Sequence, residues 1–357
     1  MDSSYEFYTT SKEAWNAMLE SCRQAVKSID MEQYIFADDE IGRKFLEIFR
    51  RKAGEGVRVR LLMDAAGSYG FYKSSIPPEL TKLGIELRFF NIISPWRIRN
   101  FFSWFFRNHR KTLIVDDNIG FTGGVGIGDY MKNWRDTSGK IGGEIVKEMS
   151  ESFLEMWNLS NDKNLSSRLR KWRALKKHKN FITNAPYFKK RFLHKALIRA
   201  INCAEESILI TNPYFVPDHH LTKILRRAAL RKVDVQIILP DKIDVLLLAT
   251  ASHASFFDLL KRGVRIFKYQ PEVLHAKTLV IDDAWATYGS FNFDNRSFYY
   301  NYEANLVSED LASIQALKRH FQEDLKHCRE ITLSEWRKRP LLQKIIELLV
   351  SPIRGIL

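Results

Sequence analysis

Residues 107–124 read RNHRKTLIVDDNIGFTGG, and this stretch decides the fold because its pattern returns far along the chain. Alternate side chains of a strand share a face, so a strand starting at His109 lines up His109, Lys111, Leu113 and Val115. Residues 274–297 read LHAKTLVIDDAWATYGSFNFDNRS, where His275, Lys277, Asp282, Gly289 and Ser290 keep the spacing of His109, Lys111, Asp116, Gly123 and Gly124. One His-x-Lys-x4-Asp match is a weak signal. Two, each with a glycine at the same downstream offset, mark a duplication.

The flanking sequence repeats in the same frame. AVKSIDMEQYIF (25–36) alternates as a strand, IGRKFLEIFRRKAGEG (41–56) has the period of an amphipathic helix ending in glycine, and VRVRLLMD (57–64) reads as a second strand. AEESILITNPYFVPD (204–218), LTKILRRAALRK (221–232) and VDVQIILPD (233–241) repeat that order. Each half then passes through a helix-like segment, a glycine and another strand (LGIELRFF from 83, RGVRIFKY from 262) before its motif. The predicted class is α/β: two similar lobes of mixed sheet flanked by helices and related by a pseudo-twofold axis. Expected boundaries are 1–160 for the first lobe, 161–184 for a basic connector, 185–335 for the second lobe and 336–357 for a basic, amphipathic C-terminal segment. The copies are unequal: 25 residues separate Gly84 from His109, against 12 between Gly263 and His275. The excess in the first lobe includes PWRIRNFFSWFF.

A chain of 357 residues buries a sizeable core, and its 56 Lys and Arg against 42 Asp and Glu (formal charge +14) suit an anionic partner: nucleic acid, anionic lipid or a phosphorylated substrate. Twelve of the basic residues lie between Arg168 and Arg199, where no acid occurs. Cys22, Cys203 and Cys328 are too few and too scattered for a disulfide framework or a metal site, which fits a reducing compartment. The N-terminus, MDSSYEFYTTSKEAW, lacks the basic and apolar regions of a signal peptide, and no apolar run is long enough to span a bilayer. Membrane contact is therefore expected to be peripheral.

If the lobes bring their motifs together, the pocket holds two imidazoles and two ammonium groups. Charged lysines do not ligate metals and two histidines alone are a poor zinc site, so neither a metal nor another cofactor is expected. Two fixed cations suit the non-bridging oxygens of a phosphodiester. One histidine can attack phosphorus while the other protonates the leaving alcohol and later deprotonates the incoming one. Each imidazole then needs a partner on its second nitrogen. Asp136, 27 residues after His109, and Glu303, 28 after His275, are the orienting candidates. Asp116 and Asp282 complete the catalytic motifs, but each falls where strand meets turn and points away from the His/Lys face, as a turn or lobe-bracing hydrogen bond requires. Gly124, Ser290 and Asn292 are phosphate-binding candidates beside the glycine turns.

These paired runs, HRKTLIVD…GG and HAKTLVID…GS, resemble the two signature motifs of the phospholipase D superfamily. With EQYIFADDEIG, WRDT, TNPYFVPD and GSFNFDNRSFYYNYEANL, the chain from about residue 14 to 340 is similar to bacterial cardiolipin synthases. The resemblance implies metal-independent, ping-pong phosphatidyl transfer through a phosphohistidine. His109 would be the nucleophile, His275 the general acid and then base, and Lys111 and Lys277 would bind phosphate with Ser290 and Asn292. It implies phosphatidylglycerol as donor, a second phosphatidylglycerol or another phospholipid as acceptor, and a place on the cytoplasmic membrane of a bacterium. The chain departs from the pattern at Gly126, where the counterpart of Asn292 is expected, and it starts at the catalytic unit, like forms without N-terminal transmembrane helices.

Lipid access needs an interfacial surface. Trp96, Phe101, Phe102, Trp104, Phe105 and Phe106, interleaved with Arg97, Arg99 and Arg107 just before the catalytic histidine, are the expected membrane contacts, and 336–357 is a second candidate. The rival function is a phosphodiesterase or nuclease of the same superfamily, since the same pocket hydrolyses nucleic acid. The clustered FFSWFF favours lipid, because stacking platforms for single strands space their aromatics among polar residues.

Overall fold

A computed structural model describes residues 4–92, 105–161, 170–171, 173–242 and 246–350. The first half forms a seven-stranded sheet from β1 (Tyr5–Thr10), β2 (Ser28–Gln33), β3 (Arg58–Asp64), β4 (Glu86–Phe90), β5 (Thr112–Val115), β6 (Ile119–Gly123) and β7 (Arg135–Gly142), in the order β1-β7-β6-β5-β2-β3-β4. The second half forms an eight-stranded sheet from β8 (Phe181–Asn184), β9 (Ser207–Thr211), β10 (Asp234–Pro240), β11 (Arg265–Tyr269), β12 (Thr278–Ile281), β13 (Trp285–Gly289), β14 (Glu303–Ser308) and β15 (Cys328–Ile331), in the order β15-β11-β10-β9-β12-β13-β14-β8. Apart from β15 the two orders are the same, which is the duplication read from the sequence. In each half the three strands of the βαβ units are parallel and the rest antiparallel.

Two readings need correction. Phe181–Asn184, placed in the basic connector, is the edge strand of the second sheet, paired with β14 from Glu303↔Asn184 to Leu306↔Phe181. Its four residues are too short to show a period against the basic run before them. The motif histidines also precede their strands: β5 begins at Thr112 and β12 at Thr278, so His109–Lys111 and His275–Lys277 are extended segments outside the ladders.

Helices cover the outer faces. Glu40–Gly54 is capped by Asp39 Oδ1, which accepts from Gly42 N–H, and its counterpart His219–Leu230 is capped by Asp218 in the same way. One core lies under the helices of each lobe, and a third, containing Ile114, Met149, Phe153, Leu209, Val280 and Tyr288, lies between the two sheets. Gly139 sits in that interface because a Cβ there would fall 2.1 Å from Tyr288 Oη. The lobes are thus packed through apolar side chains, and their motif edges are held together.

The repeated Asp-Asp pairs are explained by the hairpins they close. Asp116, Asp117, Asp282 and Asp283 all have φ between 52° and 55°, a left-handed conformation that Asp tolerates better than bulkier residues. Asp116 then accepts the N–H groups of Val26, Lys27 and Ser28, and Asp282 those of Glu205, Glu206 and Ser207. Both brace the start of the neighbouring strand, at the end of the hairpin remote from the histidines.

Candidate active site

Each motif histidine takes its backbone partner from the other lobe. Asn108 forms a parallel bridge with Tyr302, and His109 N–H donates to Tyr302 O at 3.0 Å. Arg135 forms the matching bridge with Leu274, and His275 N–H donates to Arg135 O at 2.7 Å. The residue after each acceptor is a carboxylate. His109 Nδ1 therefore lies 3.0 Å from both carboxylate oxygens of Glu303, and His275 Nδ1 lies 2.7 Å from Asp136 Oδ2. Counting within each half sets each carboxylate level with the histidine of its own lobe; the packing gives it the other one.

The two imidazoles face one cavity of about 290 Å³ that His109, Lys111, Gly124, Gly126, His275 and Asn292 line with Arg107, Asp294 and Arg296, while Lys277 and the two carboxylates lie behind its wall. Lys111 Nζ donates to His109 O at 2.7 Å, and Lys277 Nζ donates to His275 O. Aromatic rings back the imidazoles: Tyr34 lies 4.8 Å from His109, and Trp134 lies 5.1 Å from His275. Arg107, next but one before the histidine, is buried and donates from Nε and Nη2 to Asp64, whose Oδ2 also takes the Asn108 N–H at 2.9 Å. That pair fixes the approach of the 107–111 segment.

Burial dominates the electrostatics. It pushes both imidazoles down to about 4, and Lys111, which also faces Lys277, down to about 7. The two carboxylates would be pushed up by burial, but the imidazoles and ammonium groups beside them hold both below the usual carboxylate range. These shifts make the imidazoles neutral and the carboxylates ionised at neutral pH. An entering phosphodiester anion offsets the ammonium charges and favours an imidazolium.

Asp116 and Asp282 do not line the cavity, their carboxylates being taken up by the strand-end amides described above. Other candidates are placed otherwise than expected. Ser290 is not among the residues that line the cavity: its hydroxyl donates to Glu303 Oε2 at 2.5 Å. Gly124 is required less for phosphate than for its partner carboxylate, since a Cβ there would lie 2.1 Å from Asp136 Oδ1. Asn292 does face the cavity, and its buried Oδ1 has no hydrogen-bond partner. Opposite it, Gly126 leaves its space to Met131, whose Cε would be 3.0 Å from a Cβ. Of the expected membrane contacts, Trp96, Phe101, Phe102 and Trp104 lie outside the described residues. Phe105 is exposed, whereas Phe106 packs against the inter-sheet core, drawn inward by the tethered Arg107. Among the described residues no group of three or more His, Cys, Asp or Glu is placed to hold a metal.

Sequence reasoning missed Tyr34, Asp64, Trp134, Ser297 and Asn301, and it read the buried Arg107 only as an interfacial arginine. Tyr34 and Tyr214 each follow the first motif strand of their half and each packs near a histidine, a parallel visible in EQY and NPY. Ser297 and Asn301, which donate to Glu303 Oε1 at 2.7 and 3.2 Å, have no counterpart to mark them.

Two duplicated mixed sheets with a His-x-Lys segment from each meeting in one cavity define a phospholipase D fold. A model of the "Cardiolipin synthase, PLD-like domain" family matches residues 18–157 and 197–325. The cardiolipin synthase of Clostridium perfringens (strain SM101 / Type A) is 34% identical over 374 residues, covering 98% of this chain and 76% of that protein. Cardiolipin synthase 2 of Bacillus anthracis is 35% identical over 364 residues, with 97% and 70% covered. The crystal structure of phosphatidylserine synthase from Haemophilus influenzae Rd KW20 superposes with a TM-score of 0.74 at 15% identity, covering 99% of this chain and 95% of that one, a likeness of fold. The chain belongs to the cardiolipin synthase family of phospholipase D-like proteins.

Proposed function

We propose that this chain makes cardiolipin from phosphatidylglycerol through a phosphatidyl-histidine intermediate. As a member of its family it is an enzyme of phospholipid synthesis that transfers phosphatidyl groups, acting at bacterial membranes. Among the described residues no helix is long and apolar enough to cross a membrane. A peripheral seat on the cytoplasmic membrane is part of the proposal.

The observation that carries the mechanism is the pair of crossed histidine–carboxylate contacts on one cavity. Neutral His109 attacks phosphorus through Nε2, and the bond from phosphorus to the glycerol oxygen breaks as protonated His275 gives that oxygen its proton. Glycerol leaves. His275, now neutral, takes the proton from the hydroxyl of a second phosphatidylglycerol, whose oxygen attacks phosphorus and expels His109. Lys111 and Lys277 balance the charge on the non-bridging oxygens, and Asn292 offers an amide to one of them.

The surroundings favour this division of roles. Glu303 spreads its charge over four donors: His109 Nδ1, Ser290 Oγ, Ser297 Oγ and Asn301 Nδ2. Asp136 meets His275 at the shorter distance, 2.7 Å, and gives its other oxygen to the Thr137 N–H. The less shared carboxylate stabilises an imidazolium better, so His275 suits the proton carrier and His109 the neutral nucleophile. The test is incubation with phosphatidylglycerol in detergent without added metal, reading products by mass. Cardiolipin and glycerol are expected. Phosphatidic acid alone would replace transfer with hydrolysis, and cleavage of DNA without action on lipid would favour the nuclease.

A further inference from the structure

A second cavity, of about 410 Å³, lies outside the catalytic one and is lined by Phe188, Arg191, His194, Lys195, Arg199 and His220. Among the described residues no acid lines it. Lys195, Arg199 and His220 are exposed, and Phe188 stands 59% exposed at its rim. The Arg191 guanidinium lies over Tyr299, 4.7 Å from the ring centroid; Nη2 donates to Pro186 O at 3.4 Å, and its buried Nε has no hydrogen-bond partner. Asp218, near by, is already occupied by Leu221 N–H and Tyr299 O–H. The groove therefore gathers the end of the basic run seen in the sequence into one concave, cationic surface with an apolar aromatic at its lip.

Its position follows from strand direction. β8 is antiparallel to β14, β14 to β13, β13 to β12 and β12 to β9, so β8 and β9 run the same way. The chain leaves β9 into Tyr214, which lines the catalytic cavity, and leaves β8 into the segment that carries Phe188 and Arg191. Both openings lie at the same edge of the sheet. They share a wall as well: in the turn Arg296–Tyr300, Arg296 lines the catalytic cavity while Tyr299 supports Arg191, and Asn184 at the end of β8 donates to Ser297 O at 2.9 Å.

We propose that this groove is a docking site for the phosphate of an anionic phospholipid in the bilayer that presents the substrate. Cationic side chains beside an exposed aromatic match a phosphate lying just above acyl chains, and a shared edge lets one membrane surface meet both openings. The proposal rests on the lipid-transfer reading for its choice of a bilayer over another polyanion.

The test is sedimentation of the full chain with vesicles of phosphatidylcholine alone or mixed with phosphatidylglycerol. Each basic residue near an anionic surface contributes roughly fivefold to affinity, so Lys195→Glu with Arg199→Glu should weaken binding to the anionic vesicles at least about tenfold. Lys261→Glu with Arg262→Glu, just past the far end of the helix Leu246–Leu260, carries the same charge change and should not. Melting temperatures of both double variants report folding. Equal losses in the two, or none in the first, would overturn the site. So would displacement from vesicles by millimolar inorganic phosphate, which marks a free-anion site, or equal binding and competition by DNA. His109→Ala should bind vesicles as the unaltered chain does. If the chain makes no cardiolipin but the two double variants still differ, the transfer reading fails and the groove stands.

Discussion

The two motif segments at the cavity carry the same imidazole and ammonium but hold the imidazole by different means. On the His109 side the carboxylate is a glutamate fixed by Ser290, Ser297 and Asn301. On the His275 side it is an aspartate admitted by the missing side chain of Gly124, where the other half has Ser290. Duplication supplied two similar halves, and the unequal surroundings of the two imidazoles are the basis of the proposed split into nucleophile and proton carrier. The residues proposed to meet phosphate diverge in the same way, with Asn292 facing the cavity on one side and Gly126 backed by Met131 on the other.

The largest test breaks the symmetry directly. His109→Ala and His275→Ala should each lower turnover with phosphatidylglycerol by about 10³-fold or more. With a phosphodiester whose leaving group needs no proton, such as a nitrophenol, His275→Ala should still release one equivalent and retain a phosphoryl label. His109→Ala should release none. Label retained by His109→Ala instead would exchange the two roles.

Asp136→Asn should cost about 10²-fold or more in turnover, because the imidazolium at His275 loses its counter-charge. Gly124→Ala should approach that loss, since its Cβ would displace the same carboxylate. Ser290→Ala removes one of four donors to Glu303 and should cost about tenfold. An equal cost for Asp136→Asn and Ser290→Ala would remove the proposed difference between the halves.

A smaller effect is on stability. Histidines held at about 4 when folded, against an ordinary 6.5, leave the unfolded chain binding more protons between those values. Their contribution is full above pH 6.5 and is lost as pH falls toward 4. His109→Gln with His275→Gln should therefore lose less melting temperature than the unaltered chain between pH 6.5 and 4.5, by roughly a few degrees. Smallest of all, Gly126→Asn must displace the flexible end of Met131, 3.0 Å from the new Cβ, and crowds Ile35 Cβ at 3.3 Å; it should change turnover by no more than about fivefold, with any effect in the choice of acceptor.

Much of this was legible in residue order. The His, Lys and Asp of each motif, the glycines, the two carboxylates and the repeated βαβ frame all declare themselves twice, and repetition separates a signal from chance. What appears once stayed hidden. Ser297 and Asn301 are ordinary polar residues until Glu303 is seen between them, and Ser290 reads as a phosphate ligand until its hydroxyl is found turned to that carboxylate. The edge strand Phe181–Asn184 escaped because four residues beside a basic run show no period of their own.

By itself the sequence determined the fold class, the duplication, the repeated pairing of histidine with lysine and the family, since these depend on local pattern and spacing. Tertiary structure alone decided which carboxylate serves which histidine. Each motif segment forms its bridge with the opposite lobe, Asn108 with Tyr302 and Leu274 with Arg135, and the residue following each bridge partner is the carboxylate that the histidine meets. A contact spanning 194 residues in one case and 139 in the other is set by how two sheets pack, which no spacing within one half encodes.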